Sequence, residues 1–337
     1  MSDGLATAQE AQASEATTHV APGPHVFDRR LTTRWKMLDA LLGLLPVLIV
    51  SVIVFRLYAV KHVAICIFSC LAAEAVFTAM RRRAPSIGDG SAVVTGVVLA
   101  LSLPGAAAWY VGLIGSFVAV GVGKIAFGGL GQNIFNPAMV GRAFVMVAFA
   151  GAMGAAGYQD AGSQVWAITQ ATPMQAFKQE GVVTPLWQLF LGNTNGSLGE
   201  TSTLACLLGG AYLCLRRTAS WEIPAGVILA VAFFAGLGNL LHPEATWTAL
   251  HHLLGGALLF GAFFVATDPV TSPLTPKGKG IFGLGIGSLV MLMRVYSGYP
   301  EGVMFAVLLM NALVPLINNA TIPRPVGGPV PKKAPAA

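Results

Sequence analysis

The feature that most constrains this chain is a series of long, uninterrupted apolar blocks. Of its 337 residues, 55% are hydrophobic and only 10% are charged, against about 25% charged in a typical soluble domain. Mean hydropathy is +0.70. A run of roughly 20 apolar residues crosses a bilayer as a helix, and several such runs occur here. The chain is therefore expected to be an all-α integral membrane protein.

Ten of these blocks are expected to form transmembrane helices. They are Met37–Phe55, His62–Met80, Ser91–Pro104, Ala107–Phe127, Ala138–Gly157, Thr201–Leu215, Ile223–Leu241, Leu250–Ala266, Ile281–Val295 and Gly302–Ile317. The chain then divides into a tail at 1–36, helices one to five within 37–157, a long loop at 158–200, helices six to ten within 201–317 and a Pro-rich tail at 318–337. The first residues lack the short apolar core of a signal peptide, so both tails are expected to be cytoplasmic.

The distribution of Lys and Arg predicts the orientation. With the N-terminus inside, fifteen basic residues collect at the inner ends of the helices and four at the outer ends, a strong positive-inside bias. The inner set is Arg29, Arg30, Arg34, Lys36, Arg81, Arg82, Arg83, Lys124, Arg216, Arg217, Lys277, Lys279, Arg324, Lys332 and Lys333; the outer set is Arg56, Lys61, Lys178 and Arg294. The loop at 158–200 is therefore expected outside the cytoplasm of a bacterial cell, across its inner membrane. The net charge of +6 is explained by topology and membrane lipid, with no need for nucleic acid.

Two of the expected spans, 91–104 and 201–215, are too short to cross about 30 Å of hydrocarbon unaided. Similar residues introduce them: Asp89 and Ser91 before the first, and Glu200, Thr201 and Ser202 before the second. One begins inside and the other outside, as in an inverted repeat with broken helices. Ordinary capping of unpaired helix N–H groups by hydroxyls and carboxylates is the alternative.

A glycine-rich segment between the fourth and fifth spans is the next signal. It contains Gly128, Gly129, Asn133 and Asn136. Non-helical backbone at membrane depth survives only when it is buried in protein or lines a cavity, and glycine lets backbone approach a ligand closely. The alternative is a tight cytoplasmic turn in which Asn136 caps the helix that Pro137 opens. The Pro-rich segment 267–273 is expected on the same side.

The long outer loop holds a short Thr-x-Ala-Thr element, Thr169-Gln170-Ala171-Thr172. Elements of this kind are sites where FMN is attached through its phosphate to a threonine hydroxyl. Pro173 restricts Thr172 to extended backbone conformations, which is compatible with an exposed acceptor. The alternative is a plain loop threonine.

Ionisable groups inside the spans are candidates for function. Glu74 lies near the inner end of the second span, where it could hold Na⁺ or H⁺ or pair with a nearby Arg. Arg142 is a candidate contact for a flavin phosphate or for lipid headgroups. No metal site is expected, because the adjacent His251 and His252 face different sides of a helix.

Several motifs in order resemble those of the NqrB/RnfD family of respiratory membrane subunits. They are GDGS at 88–91, GGLGQN at 128–133, NPAMVGR at 136–142, GETST at 199–203, DPVTSP at 268–273 and PEGVM at 300–304. The resemblance extends from His25 to about Asn319. Its length and short N-terminal tail look like the RnfD branch.

This resemblance implies a urea-channel-like fold in two inverted halves and a subunit of the ion-translocating ferredoxin:NAD⁺ oxidoreductase (Rnf) complex. It implies electron transport through covalent FMN on Thr172, coupled to Na⁺ or H⁺ translocation, and a second, noncovalent flavin such as riboflavin. Further implied partners are an extracytoplasmic flavin subunit, a cytoplasmic NADH-binding subunit and a flavin transferase. The other candidate cofactor-binding residues are Asp89, Ser91, Gly128, Gly129, Asn133, Asn136, Arg142, Glu200, Thr201 and Ser202.

One position departs from the expected motif. An Asp commonly stands six residues before the flavin acceptor, and here that position is Trp166. Two rival functions therefore stay open. A flavin-free channel or secondary transporter would explain the spans and the broken helices but not the Thr-x-Ala-Thr element. A membrane anchor without flavin would have a structural role only. Covalent flavin separates the first interpretation from the other two.

Overall fold

The computed structural model describes residues 32–82, 86–105, 107–154, 157–158, 168–169, 172–192, 194, 196–241, 247–297 and 302–323. Its α-helices are α1 (Thr33–Phe55), α2 (Leu57–Met80), α3 (Ser91–Ser102), α4 (Trp109–Val120), α5 (Pro137–Ala148), α6 (Ala150–Gly154), α7 (Pro173–Glu180), α8 (Leu186–Leu191), α9 (Thr203–Leu215), α10 (Glu222–Leu241), α11 (Ala249–Leu254), α12 (Leu258–Phe260), α13 (Pro276–Tyr296) and α14 (Val303–Thr321). One short antiparallel pair joins β1 (Gly157–Tyr158) to β2 (Ile168–Thr169). The all-α membrane class is confirmed.

Among the described residues, five helices are long and apolar enough to cross a membrane by themselves: α1, α2, α10, α13 and α14, with 19 to 24 residues each. The other apolar helices are shorter. α3 and α5 have 12 residues each and α9 has 13. Of the expected tails at 1–36 and 318–337, residues 1–31 and 324–337 lie outside the described residues, as do Trp166 and Glu301. Within the described part, residues 33–36 belong to α1 and residues 318–321 to α14.

The two ends of the helix bundle differ in charge. α1 and α2 are joined by a tight turn at Arg56, so the start of α1 and the end of α2 lie at the same end of the bundle. Lys36 and Arg81 lie there, and Arg216, at the end of α9, pairs with Asp39 in α1 at 3.3 Å. We call this the basic end and the opposite one the loop end. α7 is at the loop end, because its lysine bonds the C-terminus of α13.

The short helices α3 and α9 run in opposite directions and meet inside the protein. α3 begins at the basic end, and its last turn faces the segment that precedes α9. There the Leu198 N–H donates to the Leu103 carbonyl at 3.0 Å and the Gly199 N–H to the Leu101 carbonyl at 2.6 Å. The buried hydroxyl of Ser51 in α1 donates to the Leu198 carbonyl. These bonds satisfy backbone groups that lipid could not.

Three expected spans contain irregularities that periodicity does not reveal. α4 continues as a π-helical turn at Gly121–Ile125, and α12 does the same at Gly261–Val265. The eighth span is broken between α11 and α12, where Gly256 has a φ of +72°. The fifth span was expected to reach Gly157, but α5 ends at Ala148 because Phe149 leaves the helical conformation.

Glycines bring α10 and α13 into close contact. A Cβ on Gly287 of α13 would lie 2.6 Å from the Val227 carbonyl oxygen of α10 and 2.7 Å from the Ala230 Cβ. Backbone cannot yield as a flexible side chain can, so only glycine fits there. By contrast, a Cβ on Gly236, farther along α10, would meet nothing within 4 Å.

We therefore expect Gly287→Ala to destabilise the protein by roughly 1–3 kcal/mol through overpacking. Gly236→Ala, the same change on a helix face with open space, should not lower stability. Thermal unfolding of both variants in one detergent would measure the difference. Equal midpoints for Gly287→Ala and the unaltered protein would show that α10 and α13 are not packed as described.

Candidate cofactor and ion-coupling sites

A cavity of about 110 Å³ opens among the helices near the basic end, and its mostly apolar lining includes several charged and polar side chains. Charged and amide side chains line it together with the first turns of α3 and α5. The polar and charged lining residues are Lys36, Ser91, Thr95, Lys124, Asn133, Asn136, Thr218, Thr267 and Asp268. The structure thus brings Ser91, Asn133 and Asn136, three of the expected cofactor-binding residues, to one cavity.

A buried ion pair lies against this cavity. The Lys124 ammonium in the π-helical turn donates to Glu74 Oε1 at 2.7 Å and to the Ser91 hydroxyl at 2.6 Å. Glu74 is fully buried and Lys124 is 1% exposed. The Ser91 hydroxyl donates in turn to Asp89 at 2.5 Å, and Ser86 donates to Glu74. Glu74 therefore has a charge partner, which is a lysine and not the expected arginine.

The two loop asparagines use their side chains differently. The Asn136 side chain accepts from the Met139 N–H and donates to the Val265 carbonyl, so it caps α5 and ties that helix to the second π-helical turn. Asn133 donates to the Phe135 carbonyl at 3.2 Å. Its buried Oδ1 has no hydrogen-bond partner among the described residues. The capping role for Asn136, one of the two alternatives, is thus observed.

Gly128 and Gly129 shape the loop that carries these asparagines. Their φ angles of +133° and +113° are ones that side chains rarely adopt. The Gly129 N–H bonds the Lys124 carbonyl at 3.1 Å, which closes the turn directly after the π-helical segment. Neither glycine lines the cavity. Their structural role is to allow the backbone to form this turn.

Asp268 borders the cavity from the opposite side. Its carboxylate accepts from the Val270 N–H and the Thr271 hydroxyl, both at 3.2 Å. Burial raises the pKa of Asp268, while these two bonds oppose the rise. Asp268 is thus a carboxyl group at the cavity that takes up a proton more readily than usual.

The second group of expected residues lies at the junction of α3 and α9. Arg142 in α5 pairs with Glu200 at 3.5 Å, and both side chains are largely buried, at 14% and 5% exposure. Ser202 caps α9 by accepting from the Ala205 N–H at 3.2 Å. Thr201 is 2% exposed. Arg142 therefore pairs with a carboxylate inside the protein.

The two groups do not form one site. Ser91 begins α3, whereas Leu101, ten residues later, contacts the segment before α9. At 1.5 Å per residue the separation is about 15 Å along the helix axis. The sequence similarity between the two helix starts therefore reflects two separate capped ends, one at the cavity and one at the junction.

Thr172 lies at the loop end, away from both groups. It is the N-cap of α7, and its hydroxyl oxygen accepts from the Gln175 N–H at 3.3 Å. Its backbone is extended, with φ −63° and ψ 155°, as expected before Pro173. The residue is half-buried. A hydroxyl at a helix N-terminus suits a phosphate ester, because the N–H groups and the helix dipole favour negative charge there.

The fold and these sites define a multi-pass helical membrane protein with broken helices, a cavity among the helices and a threonine hydroxyl that caps a helix at the loop end. The model of the NQR2, RnfD, RnfE family matches residues 19–327. The chain belongs to this family.

Relatives are similar over nearly their full length. One from Acetobacterium woodii, named as the D subunit of a Na⁺-translocating ferredoxin:NAD⁺ oxidoreductase complex, is 39% identical over 93% of this chain and 96% of its own. One from Clostridium ljungdahlii, named as the D subunit of a proton-translocating ferredoxin:NAD⁺ oxidoreductase complex, is 38% identical over 93% and 97%. A third, from Stutzerimonas stutzeri, is named as the D subunit of an ion-translocating oxidoreductase complex and is 39% identical over 86% and 91%.

Sequence reasoning does not identify two residues of the cavity. Lys124 appears in the sequence only as one more basic residue at a helix end, although its place in an otherwise apolar block was a signal that it is buried. Asp268 lies in one of the family motifs without an evident role. Its position between Thr267 and Pro269, directly after an apolar block, was the available signal.

We expect Lys124→Met to destabilise the protein by roughly 3–5 kcal/mol, since it leaves Glu74 buried without its charge partner. Adding Glu74→Gln should restore most of that stability, because the remaining groups are neutral. A double-mutant cycle by thermal unfolding in detergent would measure the coupling.

Arg216→Met provides the control, since that side chain is 45% exposed in its pair with Asp39. It should cost about 1 kcal/mol or less. If the two changes at Lys124 and Glu74 simply added, the two side chains would not form the coupled buried pair that their geometry implies.

Proposed function

We propose that the chain is the D subunit of an Rnf-type ion-translocating ferredoxin:NAD⁺ oxidoreductase complex. It would carry electrons through FMN attached to Thr172 and couple this transfer to Na⁺ or H⁺ translocation. The observation that carries the proposal is the capped hydroxyl of Thr172 on α7, in a chain similar over about nine-tenths of its length to the D subunits of such complexes.

The residues present at α7 fit an FMN phosphodiester. The Thr172 oxygen lies at the start of an eight-residue helix, next to the Gln175 N–H. Attachment would join this oxygen to the FMN phosphorus of FAD, with AMP leaving and a flavin transferase as the catalyst. When bound, a flavin exchanges one or two electrons. The chain holds the attachment point, keeps it at the loop end and favours the negative phosphate there.

The cavity at the basic end is the proposed site of a second, noncovalent flavin. Asn133 Oδ1 offers a hydrogen-bond acceptor that lacks a partner among the described residues, and Lys124 offers a positive charge. At about 110 Å³ the cavity is below the roughly 300 Å³ of small-molecule pockets. The cavity as it stands would therefore enclose only part of a flavin, and Asn133 and Lys124 are the residues that would bind that part.

Ion coupling is proposed to involve the pair of Glu74 and Lys124. Glu74 Oε2 has no hydrogen-bond partner among the described residues, so the carboxylate has capacity for a cation. Lys124 contacts both Glu74 and the cavity. A negative charge in the cavity would draw the ammonium away from Glu74, which could then take up Na⁺ or H⁺. Identical conformations of the oxidised and reduced complexes would count against this coupling.

The proposed orientation places the basic end in the cytoplasm and α7 outside it, across the inner membrane of a bacterial cell. This follows from the excess of Lys and Arg at the basic end. Electrons would then reach Thr172 from an extracytoplasmic flavin subunit and leave toward a cytoplasmic NADH-binding subunit. The family resemblance and the separation of the two sites across the bundle support this route.

We expect Thr172→Ala to abolish covalent flavin. The chain would be co-expressed with an active flavin transferase, denatured, separated on a gel and examined for flavin fluorescence. The unaltered chain and Thr169→Ala, a change in the same loop, should both fluoresce. An unaltered chain without fluorescence would instead favour a flavin-free channel, transporter or anchor. Fluorescence that survives in Thr172→Ala would assign the flavin to another residue.

A further inference from the structure

α7, the helix that Thr172 caps, contacts the body of the protein along one side. Met174 is 2% exposed. Phe177 and Lys178 follow three and four residues later, and such spacing places all three side chains on one face of a helix. The position of such a short helix is therefore determined by the contacts of that one face.

The principal contact is an aromatic stack. The Phe177 ring lies parallel to the Trp247 indole, with centroids 4.7 Å apart and planes 9° apart. Trp247 is 2% exposed, and its ring packs against His251 at 5.9 Å and His252 at 5.1 Å. Paired aromatic rings stabilise a contact by more than the apolar area that they bury. The stack therefore joins α7 to the first turn of α11.

Trp247 is itself held firmly. With its amide oriented to satisfy both neighbours, Asn239 of α10 donates to the Trp247 carbonyl and accepts from the Ala249 N–H, each at 3.1 Å. His251 bonds the Thr248 hydroxyl at 2.8 Å and contacts the backbone of the long loop at Thr184. The surface under Phe177 thus belongs to the helix bundle.

A second contact lies one residue beyond the stack. The Lys178 ammonium donates to the Ser297 carbonyl at 3.0 Å, at the C-terminus of α13. Burial lowers the pKa of Lys178, and the nearby positive charge of Arg294 lowers it further. A bond to the partly negative C-terminal end of a helix offsets that cost. α7 is therefore attached to both α11 and α13.

We propose that Phe177 and Trp247 form an aromatic clamp that positions Thr172, and the FMN attached to it, against the helix bundle. This inference rests on the proposed function, because without FMN the clamp has nothing to position. Phe177 is five residues from Thr172, about 7.5 Å along the helix axis. Because the clamp holds that helix in place, it also fixes the attachment point. A redox group on a long loop needs such a fixed position if electrons are to pass over a defined distance. Phe177 and Trp247 are thus positioning residues.

The test uses the full chain, co-expressed with a flavin transferase and purified in detergent. In Phe177→Ala, gel fluorescence of the denatured chain should persist, because Thr172 is intact. The fluorescence anisotropy of the flavin in the native protein should fall. Amide exchange of peptides covering 173–180 should become about 2- to 10-fold faster, because the interaction free energy of an aromatic pair corresponds to that factor in an opening equilibrium. A parallel Thr172→Ala sample subtracts any noncovalent flavin.

Two controls separate the clamp from general damage. Phe177→Tyr keeps the stacked ring and should behave like the unaltered chain. Trp187→Ala removes an aromatic side chain that is 67% exposed in the neighbouring α8 and should change neither anisotropy nor exchange. If Phe177→Ala does not accumulate, Phe177→Leu replaces it, since leucine keeps an apolar side chain but removes the stacked ring, and it should shift both readouts in the same direction.

Unaltered anisotropy and exchange in Phe177→Ala, or in Phe177→Leu as its replacement, would overturn the clamp while leaving covalent FMN standing. A chain with protected amides at 173–180 but no gel fluorescence would overturn both proposals, since the contact would then be structural only. Fluorescence together with clamp-dependent anisotropy would support both.

Discussion

A backbone that stops being helical inside an apolar slab must find partners for its free N–H and C=O groups within the protein. Here α3 ends partway through the bundle, and the carbonyls of Leu101 and Leu103 accept from the backbone that leads into α9. Each short helix therefore depends on the other. The first turn of α3 lines the cavity, so the geometry of the cavity depends on this junction.

Buried charges lie near both ends of α3. Glu74 and Lys124 are paired beside its first turn, and Arg142 and Glu200 beside its last. Such pairs are costly to desolvate and are often no more stabilising than apolar packing, so stability alone does not account for them. The first pair lies beside the cavity and the second lies at the junction of α3 and α9. At both places a change in charge could alter the packing of the helices.

Much of the fold could be predicted from local sequence. Long apolar blocks, the two shortened spans and the Asn136-Pro137 helix start are all visible in short windows of residues, and the structure contains each of them. The features that local sequence did not predict depend on contacts between residues that are distant in the chain. Lys124 and Glu74 are 50 positions apart, and Arg142 and Glu200 are 58 apart, so no local pattern could pair them. The π-helical turns and the break at Gly256 likewise arise from packing.

The most direct test of covalent FMN on Thr172 is the mass of one peptide. Trypsin should release residues 143–178 as a single fragment, since no Lys or Arg lies between Arg142 and Lys178. From the chain purified out of cells that contain the flavin transferase, this peptide should carry the mass of FMN less one water, and its fragment ions should assign the addition to Thr172 and not to Thr169. An unmodified peptide from a chain that still supports electron transfer would contradict the central claim.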